Sequence, residues 1–326
     1  MPVLLSILTT ARLTRASVAL GAVADVWLVV LLTRALGNGS ETGAEVLPLW
    51  FALAASALMA AGFFTFGCVL NDLLDAKRDR ALSPERPIPA GLFPPRDAVL
   101  LASGCLLCGI LGALGFGSRA TAIALLLALA ILIYDAAAKY VPAARLVLFG
   151  ALTGISMLVP NGNFPYAIIL AVAMLQSIAT ATAAYMVEGK RPQLTPRAKF
   201  FLVLGVLLML TATFAATYES SGSREFLPSG MTWQASLLPA SIFVAGCIYL
   251  HFAARVKCEG DEHRKRGDRI YRRGALWRAM TASAWLLAAG LAVEAALLAT
   301  VASLGFGAMA VLRSLVPAPD APPKWR

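Results

Sequence analysis

The chain has 326 residues, of which 59% are hydrophobic and only 14% charged, with a mean hydropathy of +0.74. Soluble domains carry roughly 25% charged residues, so the composition excludes a soluble globular enzyme and reads as a polytopic membrane protein. The net charge of +10 does not point to nucleic acid, because the cations fall in the short polar gaps between apolar segments, where membrane topology places them.

Arg12 and Arg15 precede the first apolar segment, with no small-residue cleavage site after it, and read as cytoplasmic anchors. About 20 apolar residues cross a bilayer as a helix, and on that scale the predicted spans are 16–36, 46–70, 98–116, 120–134, 146–159, 166–187, 200–217, 237–254 and 280–312. The last is long enough to tilt or break near Gly305 and Gly307. The expected architecture is all-α: nine transmembrane helices in a single domain over residues 1–315, followed by a disordered tail at 316–326. With the N-terminus inside, 22 of the 28 Lys and Arg fall on the cytoplasmic side and 6 on the other, the asymmetry expected of a bacterial-type inner membrane protein. The basic stretch from Arg255 to Arg278 is read as a loop whose charge ordinary positive-inside loading mostly explains, with contact to anionic lipid as the alternative. Cys105 and Cys108 have the spacing of a redox or zinc pair, but no second ligand pair accompanies them, and they read as small apolar filler.

Span 2 ends in Asn71-Asp72-Leu-Leu-Asp75-Ala-Lys77-Arg78-Asp79, followed by Arg86-Pro-Ile-Pro-Ala-Gly91. If the helix continues past Leu70, Asp72, Asp75 and Asp79 follow at i+3 and i+4 and share one face. Like charges at that spacing repel, and a cation relieves them. Carboxylates are hard oxygen ligands, and Mg²⁺ is held by one or two of them while water and phosphate oxygens fill its other positions. The spacing is equally compatible with a solvated charged loop in which Lys77, Arg78 and Arg80 neutralise the acids.

The run Asn-Asp-x-x-Asp-x-x-x-Asp after span 2, then Arg-Pro-Ile-Pro-Ala-Gly, within nine spans, resembles the UbiA superfamily of intramembrane prenyltransferases. Tyr134-Asp-Ala-Ala-Ala-Lys139 after span 4 is similar to that family's tyrosine-to-lysine element, and the stretch from Arg15 to Asp25 resembles its EboC-like branch. The resemblance implies a ring of nine helices around a cavity open to the membrane. It also implies transfer of an isoprenyl group from a prenyl diphosphate to an acceptor, with Mg²⁺. The family's second acidic motif belongs in the loop after span 6, where this chain has Met186-Val187-Glu188-Gly189-Lys190, with a single carboxylate. Lys190 and Arg191 are therefore expected to hold diphosphate directly, as point charges.

On this reading Asp72, Asp75 and Asp79 hold the metal, Asn71 assists, and Arg78, Arg86, Lys139, Lys190 and Arg191 neutralise the diphosphate. Asp25, near the middle of span 1, is a functional candidate because an intramembrane carboxylate is costly; a hydrogen bond to a neighbouring helix explains it as well. Gln176 and Tyr185 of span 6, with Tyr134, are candidates for binding the acceptor, although ordinary interhelical polar contacts explain the first two better. Two other classes compete: a degenerate relative that binds an isoprenoid or quinone without chemistry, and a small-molecule transporter. Transporter sites sit at broken helices in mid-membrane, whereas these acids lie at the water boundary. No residue in the sequence selects the acceptor or the prenyl length.

Overall fold

The computed structural model describes residues 15–37, 42–82, 84, 86–190, 192–221, 226–228, 231–255 and 262–314. Arg12, Arg191, Cys258 and the tail 316–326 lie outside the described residues. Among the described residues there is no strand, and ten helices of 17 residues or more build the protein. They are α1 (Ala16–Leu36), α2 (Leu49–Leu74), α3 (Pro95–Leu114), α4 (Ser118–Ala136), α5 (Pro142–Leu158), α6 (Ala167–Val187), α7 (Pro196–Ser221), α8 (Trp233–Arg255), α9 (Glu262–Ala288) and α10 (Ala292–Ser314). Eight are long and apolar enough to cross a membrane, α5 is shorter, and α9 is set apart by its charges. This is an integral membrane protein.

Proline opens α3, α5 and α7, at the position where a helix has no use for the missing N–H. Small residues let α2 and α3 approach backbone to backbone. A Cβ on Gly62 would fall 2.7 Å from the Gly109 nitrogen, and one on Gly112 would fall 2.5 Å from the Ala55 carbonyl oxygen. Where lipid offers no hydrophobic contrast, such close approach supplies the dispersion contact that holds helices together.

The final span is corrected by the structure. In place of one helix over 280–312 there are two, α9 and α10, joined at Gly290, whose φ of +83° suits glycine. Gly290 N–H donates to Leu287 O, and Leu291 N–H to Leu286 O, the paired closure typical of a helix ending in left-handed glycine. Gly305, expected as a possible break, lies inside α10 and makes room for Leu20 of α1: a Cβ there would sit 2.9 Å from the Leu20 Cδ1.

The stretch 262–278, expected as part of a basic loop, is helical. Gly21 meets Ala275 and Asp25 meets Arg278, so α9 runs parallel to α1. At 1.5 Å per residue the 27 residues of α9 span about 40 Å, more than the roughly 30 Å bilayer core. Its charged first half therefore extends past the start of α1, while its apolar second half packs in the bundle. A hydropathy reading misses this helix because the two halves average out.

A belt of paired polar groups crosses the bundle at one depth. Arg278 Nε of α9 donates to Asp25 Oδ2 of α1 at 2.7 Å, and a second guanidinium nitrogen contacts the same oxygen. Gln176 Nε2 of α6 donates to Thr281 Oγ1 of α9 at 2.7 Å, and Thr153 Oγ1 of α5 donates to Ser177 Oγ of α6 at 2.9 Å. These contacts fasten α1, α9, α6 and α5 to one another. Between them, α1, α2, α4, α5 and α9 enclose a cavity that reaches the end where α2 finishes and α1 begins.

Candidate active site

The acids of the motif gather where α2 stops. Asp75 caps α2 with φ −86° and ψ −3°, and a short helix, Ala76–Leu82, restarts beyond it, with Asp79 N–H donating to Asp75 O at 2.8 Å. The C-terminal end of a helix carries partial negative charge, so three aspartates there need cations. Asp72, Asp75 and Asp79 are all buried, with exposures of 7%, 8% and 5%.

Arg86 and Lys139 supply the cations. Arg86 Nη1 lies 2.6 Å from Asp79 Oδ2 and 3.2 Å from Asp72 Oδ1, and Lys139 Nζ lies 3.1 Å from Asp75 Oδ1. The run after Arg86 folds into a compact turn. Ala90 N–H donates to Arg86 O, Leu92 and Phe93 N–H both donate to Pro87 O, and Gly91 takes φ +72°. Ile88 is buried in the core beside α2, which fixes the turn that carries Arg86. Lys139 reaches α2 because α4 ends at Ala136: Ala137 has φ −131°, and residues 138–140 form a 3₁₀ turn instead of another α turn. Lys139 Nζ also donates to Asn71 Oδ1 at 3.4 Å, and Asn71 Nδ2 donates to Asp72 Oδ1 at 3.4 Å.

The cavity has a polar end and an apolar body. The polar end is lined by Asn71, Asp75, Arg78, Asp79, Arg86 and Lys190, joined by Arg15, Tyr134, Asp135, Arg145 and Tyr271. The body is walled by Val26, Phe63, Phe64, Leu127, Ile131, Phe149, Leu152 and Met157, with Asp25 and Arg278 set into that wall. Acids of the α2 end thus meet cations from α1, α5 and the loop after α6. Arg145 lies over the Tyr185 ring at 5.8 Å, and Lys190 over the Tyr271 ring at 5.9 Å. Burial lowers the Lys190 ammonium to about 8, against the pull of Glu188. Burial also pushes the Asp79 carboxyl up from its ordinary value; Arg86 opposes this, and Asp75 and Asp72 add to it.

The remaining candidates are placed as follows. Asp72 and Lys139 stand behind the wall, not on it. Asp25 lines the cavity, but its carboxylate is engaged by Arg278. Gln176 faces Thr281, and the Tyr185 hydroxyl donates to Pro192 O, so neither lines the cavity. In the loop after α6, Met186 is exposed, and Glu188 pairs with Lys190 at 2.7 Å and packs on Gly267 of α9. Sequence reasoning did not select Arg15, Arg145, Asp135 or Tyr271. The signal for Asp135 was present in Tyr134-Asp-Ala-Ala-Ala-Lys139, where it stands beside Tyr134.

Asp72 and Asp79 meet at one Arg86 nitrogen and Asp75 meets Lys139; among the described residues no group of three His, Cys, Asp or Glu side chains is arranged as a metal cage. The donors still suit Mg²⁺, which is held by one or two carboxylates and completes its shell with water and phosphate, and Asp75 and Asp79 offer two on the cavity wall.

Residues 26–191, about half of the chain, match the UbiA prenyltransferase family. The chain is 32% identical over 120 residues to the digeranylgeranylglyceryl phosphate synthase of Methanothrix thermoacetophila, covering 35% of this chain and 43% of that protein. It is 31% identical over 118 residues to the protein of the same name from Methanopyrus kandleri, covering 36% and 40%. It thus spans less than half the length of these curated relatives. In fold it is similar to a solved digeranylgeranylglyceryl phosphate synthase, with a TM-score of 0.53 and 16% identity over 87% of this chain and 98% of that one. It is also similar to the apo UbiA homologue of Aeropyrum pernix K1, with a TM-score of 0.51 and 14% identity over 81% and 96%. The match begins in α1, runs through the acidic end of α2 and the Arg86 turn, and stops just past Lys190, so it takes in most of the polar end of the cavity, and on that ground the chain belongs to the UbiA prenyltransferase family.

Proposed function

We propose that this protein transfers an isoprenyl group from a prenyl diphosphate to an acceptor inside the membrane. The observation that carries the reading is the two-part cavity: a charged end at the limit of α2 opens into an apolar body among helices. An allylic diphosphate has the same two parts. Its tail gains about 0.8 kcal/mol per buried CH₂ relative to water, and its headgroup needs cations as charge builds on departure.

Asp75 and Asp79, backed by Asp72 and Asn71, are the residues to hold Mg²⁺, which supplies Lewis-acid stabilisation of the leaving diphosphate. Arg78, Arg86 and Lys190, with Arg15 and Arg145, balance the remaining charge from the opposite walls. Lys139 orients Asp75 and Asn71 from behind. Phe63, Phe64, Leu127 and Ile131 exclude water from the allylic carbon, which keeps the diphosphate from being lost to hydrolysis.

The cytoplasmic orientation of the N-terminus is supported by the count of Lys and Arg, and the site lies at the end where α1 begins. That end then faces soluble Mg²⁺ and diphosphates at an inner membrane. Purified protein in nanodiscs, given labelled geranylgeranyl or farnesyl diphosphate, should release pyrophosphate and form product only with Mg²⁺. Binding of either diphosphate without release under any condition would instead support the isoprenoid-binding reading, which the single carboxylate of the loop after α6 favours.

A further inference from the structure

Four carboxylates line the cavity: Asp25, Asp75, Asp79 and Asp135. Arg278 holds the first, Lys139 the second and Arg86 the third. Asp135 is 1% exposed, and neither of its side-chain oxygens has a hydrogen-bond partner among the described residues. A buried polar group without a partner is destabilising by about 1–3 kcal/mol, more when charged, and such groups in native proteins call for an explanation. Here it sits on the wall of the cavity, at the end where the diphosphate belongs.

We propose that Asp135 is the catalytic base that receives the acceptor, and that the acceptor reacts through a hydroxyl. This rests on the prenyl transfer proposed above and names the acceptor class for the same site. An ionised carboxylate only accepts hydrogen bonds, so the ligand that completes it brings a donor. A phosphate or carboxylate anion would be repelled, whereas an O–H satisfies it. The acceptor O–H donates to Asp135 Oδ, and the proton passes to that oxygen as the hydroxyl oxygen bonds to C1 of the isoprenyl group. The C1–O bond to the diphosphate breaks, and its electron pair leaves with the diphosphate. The proton then leaves Asp135 for water at the polar end. The charged and titratable groups that act on Asp135 are Lys139 and Tyr134 from its own segment, Asp75 and Cys68 from α2, Arg145 from α5 and Arg15 before α1. Lys139, Arg145 and Arg15 are the cations among them, and the four acids are separated in role because, among the described residues, only Asp135 has neither an ion-pair nor a hydrogen-bond partner.

The test uses the full chain in nanodiscs with labelled geranylgeranyl diphosphate and Mg²⁺. The first acceptor is a glyceryl phosphate ether bearing one geranylgeranyl chain, chosen from the product that names the archaeal relatives; 4-hydroxybenzoate, which can react at ring carbon, is the second. Transfer to the hydroxyl is expected, with D135N slowing it at least 100-fold, while binding of geranylgeranyl thiolodiphosphate and the melting temperature change less than twofold and two degrees, on the order of assay scatter. Formate should restore part of the transfer in D135A and none in D75A, a rescue that a merely structural role would not produce. Transfer by D135N within tenfold of the parent chain, or equal loss of thiolodiphosphate binding, overturns the role of Asp135. Pyrophosphate release with prenylation only at ring carbon, or of neither acceptor, overturns the hydroxyl assignment alone. No binding and no pyrophosphate release at all overturns the prenyl-transfer reading, and this inference with it.

Discussion

The polar end of the cavity and the mid-membrane belt both bury charged and hydrogen-bonding groups, yet they are built on opposite plans. In the belt each group answers another: Asp25 with Arg278, Gln176 with Thr281, Thr153 with Ser177. At the polar end, Arg15, Arg145 and Lys190 face the cavity while Asp135 stands without a hydrogen-bond partner among the described residues. A closed set of polar contacts gives a rigid joint between helices, because each group already has what desolvation took from it. An unclosed set has room for a ligand to complete it. The difference separates structure from chemistry in a membrane interior, where polarity alone does not.

That contrast can be broken at either region. The largest effect is expected at the polar end: Asp75→Asn, which keeps the side chain's size and an acceptor for the buried Lys139 ammonium, should lower transfer roughly 10,000-fold, about 5.4 kcal/mol at 1.36 kcal/mol per decade, with the melting temperature little changed. A fall in melting temperature instead would make Asp75 a structural residue. In the belt the readouts exchange places. Asp25→Ala leaves Arg278 buried and unpaired and should destabilise the fold by about 3–5 kcal/mol, whereas the double change D25L/R278M, which removes both charges, should restore stability. Measured transfer by that double variant also decides whether Asp25 touches the acceptor, since full activity excludes it.

A smaller effect follows from Lys190. Its ammonium loses its proton near pH 8, so the charge offered to diphosphate is present below that value and lost as pH rises through it. The affinity for a prenyl thiolodiphosphate should fall severalfold between about pH 7 and pH 9. Lys190→Arg, whose charge persists far above that window, should flatten the profile. The smallest effect belongs to the belt again: Q176L/T281V should change stability by about 0.6 kcal/mol, the mean for hydrogen bonds between helices in a membrane protein, and leave transfer unchanged.

Much of this was legible in the chain itself. Uncharged runs of spanning length fixed eight of the ten long helices, because a bilayer imposes length and apolarity on anything that crosses it. The spacing of Asp72, Asp75 and Asp79 after Leu70 located the polar end, and the turn residues of Arg86-Pro-Ile-Pro-Ala-Gly91 marked the segment that returns a cation to it. The helix α9 was hidden because a buried ion pair lets an arginine lie at membrane depth, and hydropathy counts Arg278 without knowing that Asp25 stands opposite.

What the sequence by itself determined was therefore the class, the membrane setting and the segment that carries the acids, all of which depend on local pattern. Which acids are free was decided only by the tertiary structure. Asp25 looked functional and is paired across 253 positions of sequence; Asp135 was not singled out and, among the described residues, has no hydrogen-bond partner. Partnership between side chains depends on where helices end and how they cross, and neither the end of α4 at Ala136 nor the parallel crossing of α1 and α9 is written in residue spacing.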